Sequence, residues 1–317
     1  MGQSKDETVA ILLATYNGEK YIERQIDSII GQTHQNFICY IHDDGSTDGT
    51  KGIISRIAAS DHRFRIVGGE PTGSAKANFM FLLGMTEEKY IMFSDQDDIW
   101  LPEKIEEEYS QIRQLEAQNG DIPICVFCNL KVADQDGKET DPDFMQYSGF
   151  NTNDLSYKSV LIGNVVPGCS MIMNKALRDI TVGCGDIRNI AMHDWWCASI
   201  ASLYGILFFL DKKLNLYCQH DRQVVGAAMK RTVWERAKCD LKSIESGKLI
   251  ARKKEWGDSI CRQGIELLKL EGIKETRRKE IEKLVSMKNK SRVEKILFFK
   301  NSQWGDRAQR AWLGMCY

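Results

Sequence analysis

The chain has 317 residues, 43% hydrophobic and 27% charged, with a net charge of −1. That is enough apolar material for one large domain or two small ones, and no repeat or low-complexity tract interrupts it. No run reaches the roughly 18 apolar residues of a membrane span, and the polar start, Met1–Thr8, carries no signal-peptide pattern.

The charge is unevenly spread. Residues 1–229 hold 20 Lys and Arg against 32 Asp and Glu, whereas residues 230–317 hold 23 against 12. This asymmetry predicts two regions with different jobs. Ten cysteines are scattered singly through apolar segments. That pattern predicts free thiols in a reducing cytoplasm, not a disulfide framework. Cys125 and Cys128 fall within a strand-like run, and no second Cys or His pair stands at zinc spacing.

Val9–Ala14 is an apolar run of the length of a buried parallel strand. Thr15-Tyr16-Asn17-Gly18 turns out of it, and Tyr21, Ile22, Ile26, Ile29 and Ile30 then recur at helical spacing. Phe37–Ile41 reads as a second strand. It ends in His42-Asp43-Asp44-Gly45-Ser46-Thr47-Asp48-Gly49-Thr50, a polar turn leading into a helix over Gly52–Ala59. A third short strand over Phe64–Val67, a helix over Ala75–Gly84 and a strand over Lys89–Ser94 follow. Strand and helix alternating at this spacing predict an α/β fold, a doubly wound parallel sheet with a nucleotide site at its strand ends.

Asp95-Gln96-Asp97-Asp98-Ile99-Trp100-Leu101-Pro102 occupies such a strand end. In extended backbone Asp95 and Asp97 point to one side. Their mutual repulsion would be relieved by a divalent cation, and oxygen ligands suit Mg²⁺ or Mn²⁺. An Asp-x-Asp pair alone is commonly a solvated loop; the buried strand before it and Ile-Trp-Leu-Pro after it set this one apart.

The helix Glu103–Ala117 reads as mostly solvated charge, and Ile122–Ala133 as the next strand. Asp134–Tyr147 is polar and turn-rich; its Asp-Gln-Asp-Gly lacks the loop length and closing Glu of an EF-hand. A helix over Leu155–Ile162, a turn over Asn164–Ser170 and a strand over Met171–Met173 come next. His193-Asp194-Trp195-Trp196 opens a helix to Leu203, and Leu207–Leu210 and Leu214–Tyr217 read as two short strands before Gln219-His220. From about Ala228 the pattern predicts two or three basic helices. These either pack on the body or rest on anionic lipid, with Trp234, Trp256, Phe298, Phe299, Trp304 and Trp312 as interfacial candidates.

Four motifs in this order resemble the family 2 glycosyltransferases of GT-A fold. They are Thr15-Tyr16-Asn17-Gly18, Asp43-Asp44-Gly45-Ser46, Asp95-Gln96-Asp97-Asp98 and His193-Asp194-Trp195-Trp196. The stretch through Ile99-Trp100-Leu101-Pro102, with Tyr217-Cys218-Gln219-His220, is similar to the bacterial rhamnosyltransferase branch. The resemblance implies a GT-A catalytic domain over residues 1–226, with a nucleotide-sugar half over about 1–100 and an acceptor half over about 101–226, and a basic helical region over 227–317.

It also implies roles. Thr15, Tyr16, Asn17, Asp43, Asp44, Asn78 and Asp95 would bind the nucleotide, Asp44 accepting from the N3–H of uracil or thymine. The segment Gly68–Gly73 departs from the family pattern before Asn78. Asp95, Asp97 and His220 would hold Mg²⁺ or Mn²⁺. Asp194 would be the general base of an inverting single displacement, although an Asp there also caps a helix well. Asp98, Trp100, Gly168, Cys169, His193, Trp195 and Trp196 would shape the sugar and acceptor side.

The implied activity is transfer of rhamnose from dTDP-rhamnose to a lipid-linked oligosaccharide, for a bacterial surface polysaccharide such as capsule or O-antigen. The enzyme would be cytoplasmic and peripheral to the inner face of the cytoplasmic membrane. A UDP-hexose donor is the alternative. A non-catalytic scaffold is more remote, because Asp44, Asp95, Asp97 and Asp194 are all present. A nucleotidyltransferase would open with a Gly-rich basic loop, and Gly-x-Gly-x-x-Gly and Gly-Lys-Ser/Thr loops are absent. The acidic body disfavours nucleic acid.

Overall fold

The structure is a computed structural model that describes residues 7–220 and 248–305, with side chains from 254 onward in the second stretch. Among the described residues, nine strands form one sheet. Its first part is β1 (Val9–Thr15), β2 (Phe37–Asp43), β3 (Phe64–Ile66) and β4 (Tyr90–Asp95), all paired in parallel. Helices α1 (Ile22–Ile30), α2 (Thr50–Ser60) and α3 (Ala75–Met85) make the crossovers.

β1 shows why both faces are covered. Val9, Ile11 and Leu13 point into one core and Ala10 and Leu12 into the other, and all five are fully buried. The first core is filled by Ile22, Ile26 and Ile29 of α1, and the second by Phe79, Leu82 and Leu83 of α3.

Beyond β4 the sheet becomes mixed. β8 (Met171–Asn174) lies antiparallel between β4 and β6 (Ile124–Ala133). β9 (Ile206–Cys218) then runs parallel to β6, and the two-residue β5 (Ile99–Trp100) closes that edge antiparallel to β9. The two short strands expected over 207–217 are this single strand; the register shifts beside Asn129 mark the break between the two apolar runs. β7 (Glu139–Asp141) pairs with β6 across the Asp-Gln-Asp-Gly turn, where Gly137 takes φ 83°.

The helix α4 (Lys104–Asn119) departs from the solvated reading. Lys104 and Glu108 are fully buried and paired at 2.6 Å, with the ammonium 5.0 Å above the Trp100 ring. Glu108 Oε2 has no partner among the described residues. Removing one member of such a pair strands the other charge, so Glu108→Ala is expected to destabilise the fold by roughly 3–5 kcal/mol. Urea denaturation checks this, and an unchanged midpoint would contradict it.

The remaining described helices are α5 (Phe144–Ser148), α6 (Tyr157–Ile162), α7 (Lys175–Thr181), α8 (His193–Tyr204), α9 (Lys248–Lys269), α10 (Glu275–Ser286) and α11 (Arg292–Lys300). α5 and α7 had no clear sequence signal, being one or two turns each. The C-terminal helices pack on the body, with Ile260, Leu267, Ile281, Leu284, Phe299 and Trp304 in the same core as α8. Phe299 and Trp304 are therefore core residues rather than interfacial ones, and Phe298 is half-buried. Trp234 and Trp312 lie outside the described residues. Among the described residues, no helix is long and apolar enough to cross a membrane.

Candidate functional site

A cavity of about 1290 Å³ opens at the C-terminal ends of β1, β2 and β4, and α8 and α9 form its far wall. This is where an open α/β sheet binds ligands.

Its near rim is two loops stitched together. Asn17 adopts a left-handed φ of 47°, which Asn tolerates. Its N–H donates to Ser46 Oγ at 2.8 Å, and its Oδ1 accepts from Thr47 N at 2.8 Å. Thr15 Oγ1 donates to Asp43 Oδ2 at 3.0 Å, and Asp43 Oδ1 accepts from Ser46 N at 2.8 Å. Asp43 thus structures the turn and is not in the cavity wall. Asp44 is in the wall, and its carboxylate accepts from the N–H groups of Thr72 and Gly73. Tyr16 lines the mouth, 56% exposed. Asn78 also lines the cavity, but both ends of its amide engage His42, so it ties α3 to β2.

The acidic loop divides in two. Asp95 and Asp97 face the cavity, and His220 Nε2 lies 2.6 Å from Asp97 Oδ2, with its ring stacked on Tyr21. Burial, and then the negative charges of Asp98, Asp97 and Asp194, push the Asp95 carboxyl well above its ordinary range. Asp98 is turned toward β9, although one of its carboxylate oxygens stays within 4.8 Å of the Asp95 carboxylate and the Cys169 thiol. It is 1% exposed, accepts from Asn215 Nδ2 at 3.2 Å and from Cys218 N at 3.4 Å, and is pushed up to about 7 by burial and by Asp97. It anchors the loop to β9 and does not itself line the cavity. Trp100 is likewise core, 2% exposed, because β5 turns its side chain away from the cavity. A buried carboxyl whose charge is disfavoured, Asp95, beside the second hard oxygen donor of Asp97 fits a divalent cation.

On the far side, Asp194 sits in the first turn of α8. Its Oδ1 accepts from Trp195 N at 2.6 Å and its Oδ2 from Gly168 N at 3.1 Å. Burial raises its carboxyl to about 6, although these N–H groups oppose the rise. His193 is 4% exposed and packed on Phe79 and Phe93, with neither ring nitrogen partnered among the described residues. Burial lowers it to about 3, so it is neutral at pH 7. Cys169 and Trp195 line the cavity, and Trp195 Nε1 donates to Val160 O at 2.6 Å. Trp196 is core, its Nε1 donating to Thr181 O at 3.1 Å.

Gly168 has a steric reason. A Cβ there would meet His193 Nε2 at 2.8 Å and Asp194 Cβ at 3.5 Å. Gly168→Ala is expected to cost about 1–3 kcal/mol and to lower kcat more than it changes nucleotide affinity. Steady-state kinetics beside a nucleotide titration check this; a variant with normal kcat would contradict it.

Residues 10–181 match the model of glycosyl transferase family 2. The chain belongs to that family. This family 2 glycosyltransferase is 31% identical over 234 residues to a dTDP-rhamnosyl transferase, RfbG, of Shigella flexneri, an alignment spanning 68% of this chain and 74% of the relative. Two further curated relatives are matched over 59% and 42% of their own lengths.

Among solved structures, S. aureus TarS 1–349 in complex with UDP-GlcNAc has a TM-score of 0.58 at 16% identity, covering 96% of this chain and 78% of that one. The mannosyltransferase PcManGT of Pyrobaculum calidifontis, in complex with GDP-Man and Mn²⁺, has a TM-score of 0.54 at 14% identity, covering 90% and 70%. These likenesses show the GT-A fold.

The glycosyltransferase has three site features that sequence reasoning missed. Gln96 clasps Tyr16, accepting from its N and donating to its O, both at 2.9 Å. It lay between the two aspartates all along, and its clamp role has no sequence signal. Tyr21 reads in the sequence only as part of a helix face, whereas its ring stacks on His220 and lines the cavity. Glu255, Trp256 and Ser259 of α9 line the cavity, although they come from the region expected only to pack on the body or rest on lipid.

Proposed function

We propose that the glycosyltransferase is inverting and metal-dependent, and that it moves rhamnose from dTDP-rhamnose onto a lipid-linked saccharide in bacterial surface polysaccharide synthesis. The observation that carries this is the meeting of Asp44, Asp95, Asp97, His220 and Asp194 around one cavity. The likeness to a dTDP-rhamnosyl transferase supports rhamnose. A UDP-hexose donor is the second reading, because Asp44 would accept equally from uracil and thymine; the shared fold of a protein solved with UDP-GlcNAc is compatible with it.

Tyr16 and Asp44 would hold the base, with Thr15 and Asn17 fixing the loop beneath it. Asp95 and Asp97 would hold the cation, which supplies positive charge beside the leaving diphosphate. The neutral His193 ring offers a buried polar edge for a sugar hydroxyl to satisfy. Asp194, steadied by two backbone N–H groups, takes the proton of the acceptor hydroxyl as its oxygen bonds the anomeric carbon. The bond to the diphosphate oxygen breaks and the electron pair leaves with it.

The enzyme would work at the cytoplasmic face of the membrane. The basic C-terminal helices support this, as do Val293, Ile296 and Leu297, all exposed on α11 between Arg292 and Lys300.

A thermal-shift panel of dTDP, UDP, GDP and CDP, each with and without Mn²⁺, tests the reading. Expected is metal-dependent stabilisation by dTDP above UDP and none by CDP. No response to any nucleotide, or an equal response to CDP, would overturn it.

A further inference from the structure

We propose that α9 supplies a saccharide subsite, in which the Trp256 indole carries a pyranose ring of the acceptor and Glu255 accepts from its hydroxyls. The proposal rests on the transferase reading above. Trp256 is 38% exposed yet held in place: its Nε1 donates to Ile162 O at 3.1 Å, and its ring lies 5.0 Å from that of Trp195 at 36°. An indole used only for packing buries more of its large apolar surface. Here it is fixed and left in a concave wall.

Glu255, Trp256 and Ser259 recur at helical spacing, so one face of α9 lines the cavity. Phe150 and Val166 add apolar surface to the same cavity. Asp194, Trp195 and Trp256 all line the one cavity, so the platform and the proposed base open onto the same space, where an acceptor hydroxyl has to sit.

Charge selects the occupant. No Lys or Arg of α9 lines the cavity among the described residues, and Glu255 does. A phosphate there would meet a carboxylate. A neutral sugar ring presents weakly positive C–H groups to the negative face of the indole and hydroxyl donors to the carboxylate.

The test uses the full chain and its Trp256→Ala, Trp256→Phe and Glu255→Gln variants. Octyl glycosides of rhamnose, glucose, galactose and N-acetylglucosamine serve as acceptor probes, read by transfer kinetics and by quenching of tryptophan fluorescence. Expected is a rise of about tenfold in acceptor KM for Trp256→Ala, a smaller rise for Trp256→Phe, loss of most of the quenching, and a nucleotide-induced melting shift like the parent's. Acceptor KM within twofold of the parent in both Trp256→Phe and Trp256→Ala would overturn the proposal. So would donor KM rising as much as acceptor KM.

If the parent binds nucleotide and slowly hydrolyses donor, yet neither uses nor is quenched by any probe, the subsite is overturned while the transferase reading stands. If the parent shows no nucleotide response and no donor hydrolysis, the transferase reading falls first, and the subsite with it.

Discussion

Asp194→Asn is expected to lower kcat by about 10²–10⁴-fold, the usual contribution of a positioned general base. Donor affinity should stay near the parent value. The amide keeps the shape and one acceptor for the N–H groups of Trp195 and Gly168, but it cannot take a proton. Fold stability separates this role from a helix cap. The carboxyl is raised from 3.8 to about 6 by burial, so the fold favours its protonated form. That contribution is fully present below pH 4 and lost as pH rises through about 6. At pH 7 the ionised group is therefore a net cost, which the Asn variant removes while weakening one hydrogen bond. The two offset, and the melting temperature is expected to stay within about 4 °C. A large fall in melting temperature with modest loss of kcat would make Asp194 structural.

The same group sets the acid limb of the pH profile. The base must be ionised, so kcat/KM is expected to rise through pH 6 and level off above it, losing about tenfold per unit below. A flat profile from pH 5 to 8 would contradict the assignment.

The second large effect is expected at Asp97. Asp97→Ala should lower kcat by roughly 10²–10³-fold, the scale of losing one electrostatic element aimed at developing charge. It should also abolish the dependence of nucleotide stabilisation on Mn²⁺. The side chain lies against His220 at the cavity wall, outside the two buried cores, so the melting temperature without ligand should hardly move. Asp98→Ala should behave in the opposite way. It removes the acceptor for Asn215 and the Cys218 N–H, so stability falls first. Two neighbouring aspartates with opposite signatures in a melting assay would separate ligand from anchor.

That contrast also shows what the sequence could carry. The parallel half of the fold was legible because β1, β2 and β4 are continuous apolar runs ending in polar turns. Asp95 and Asp97 were legible from the period-two rule. Asp98, Trp100 and Trp196 were not, because their directions depend on contacts far along the chain. Asp98 turns toward β9 some 120 residues later, and Trp100 follows the pairing of β5 with that strand. Lys104 and Glu108 looked solvated because charge is a surface signal until a partner four residues away satisfies it.

β8 was legible as a strand, but its antiparallel direction was not, because four buried residues read the same in either direction. Trp256 was the largest surprise. Its region reads as basic helices that pack on the body or rest on lipid, and no local pattern announces that one helical face lines the cavity.

The most direct measurement is release of nucleoside diphosphate from dTDP-rhamnose and from UDP-hexoses, each with Mn²⁺ and with EDTA, by the parent chain and Asp97→Ala. Release is expected with dTDP-rhamnose and Mn²⁺, lost with EDTA and lost in the variant. Release from no donor, or release indifferent to both EDTA and Asp97→Ala, would contradict it.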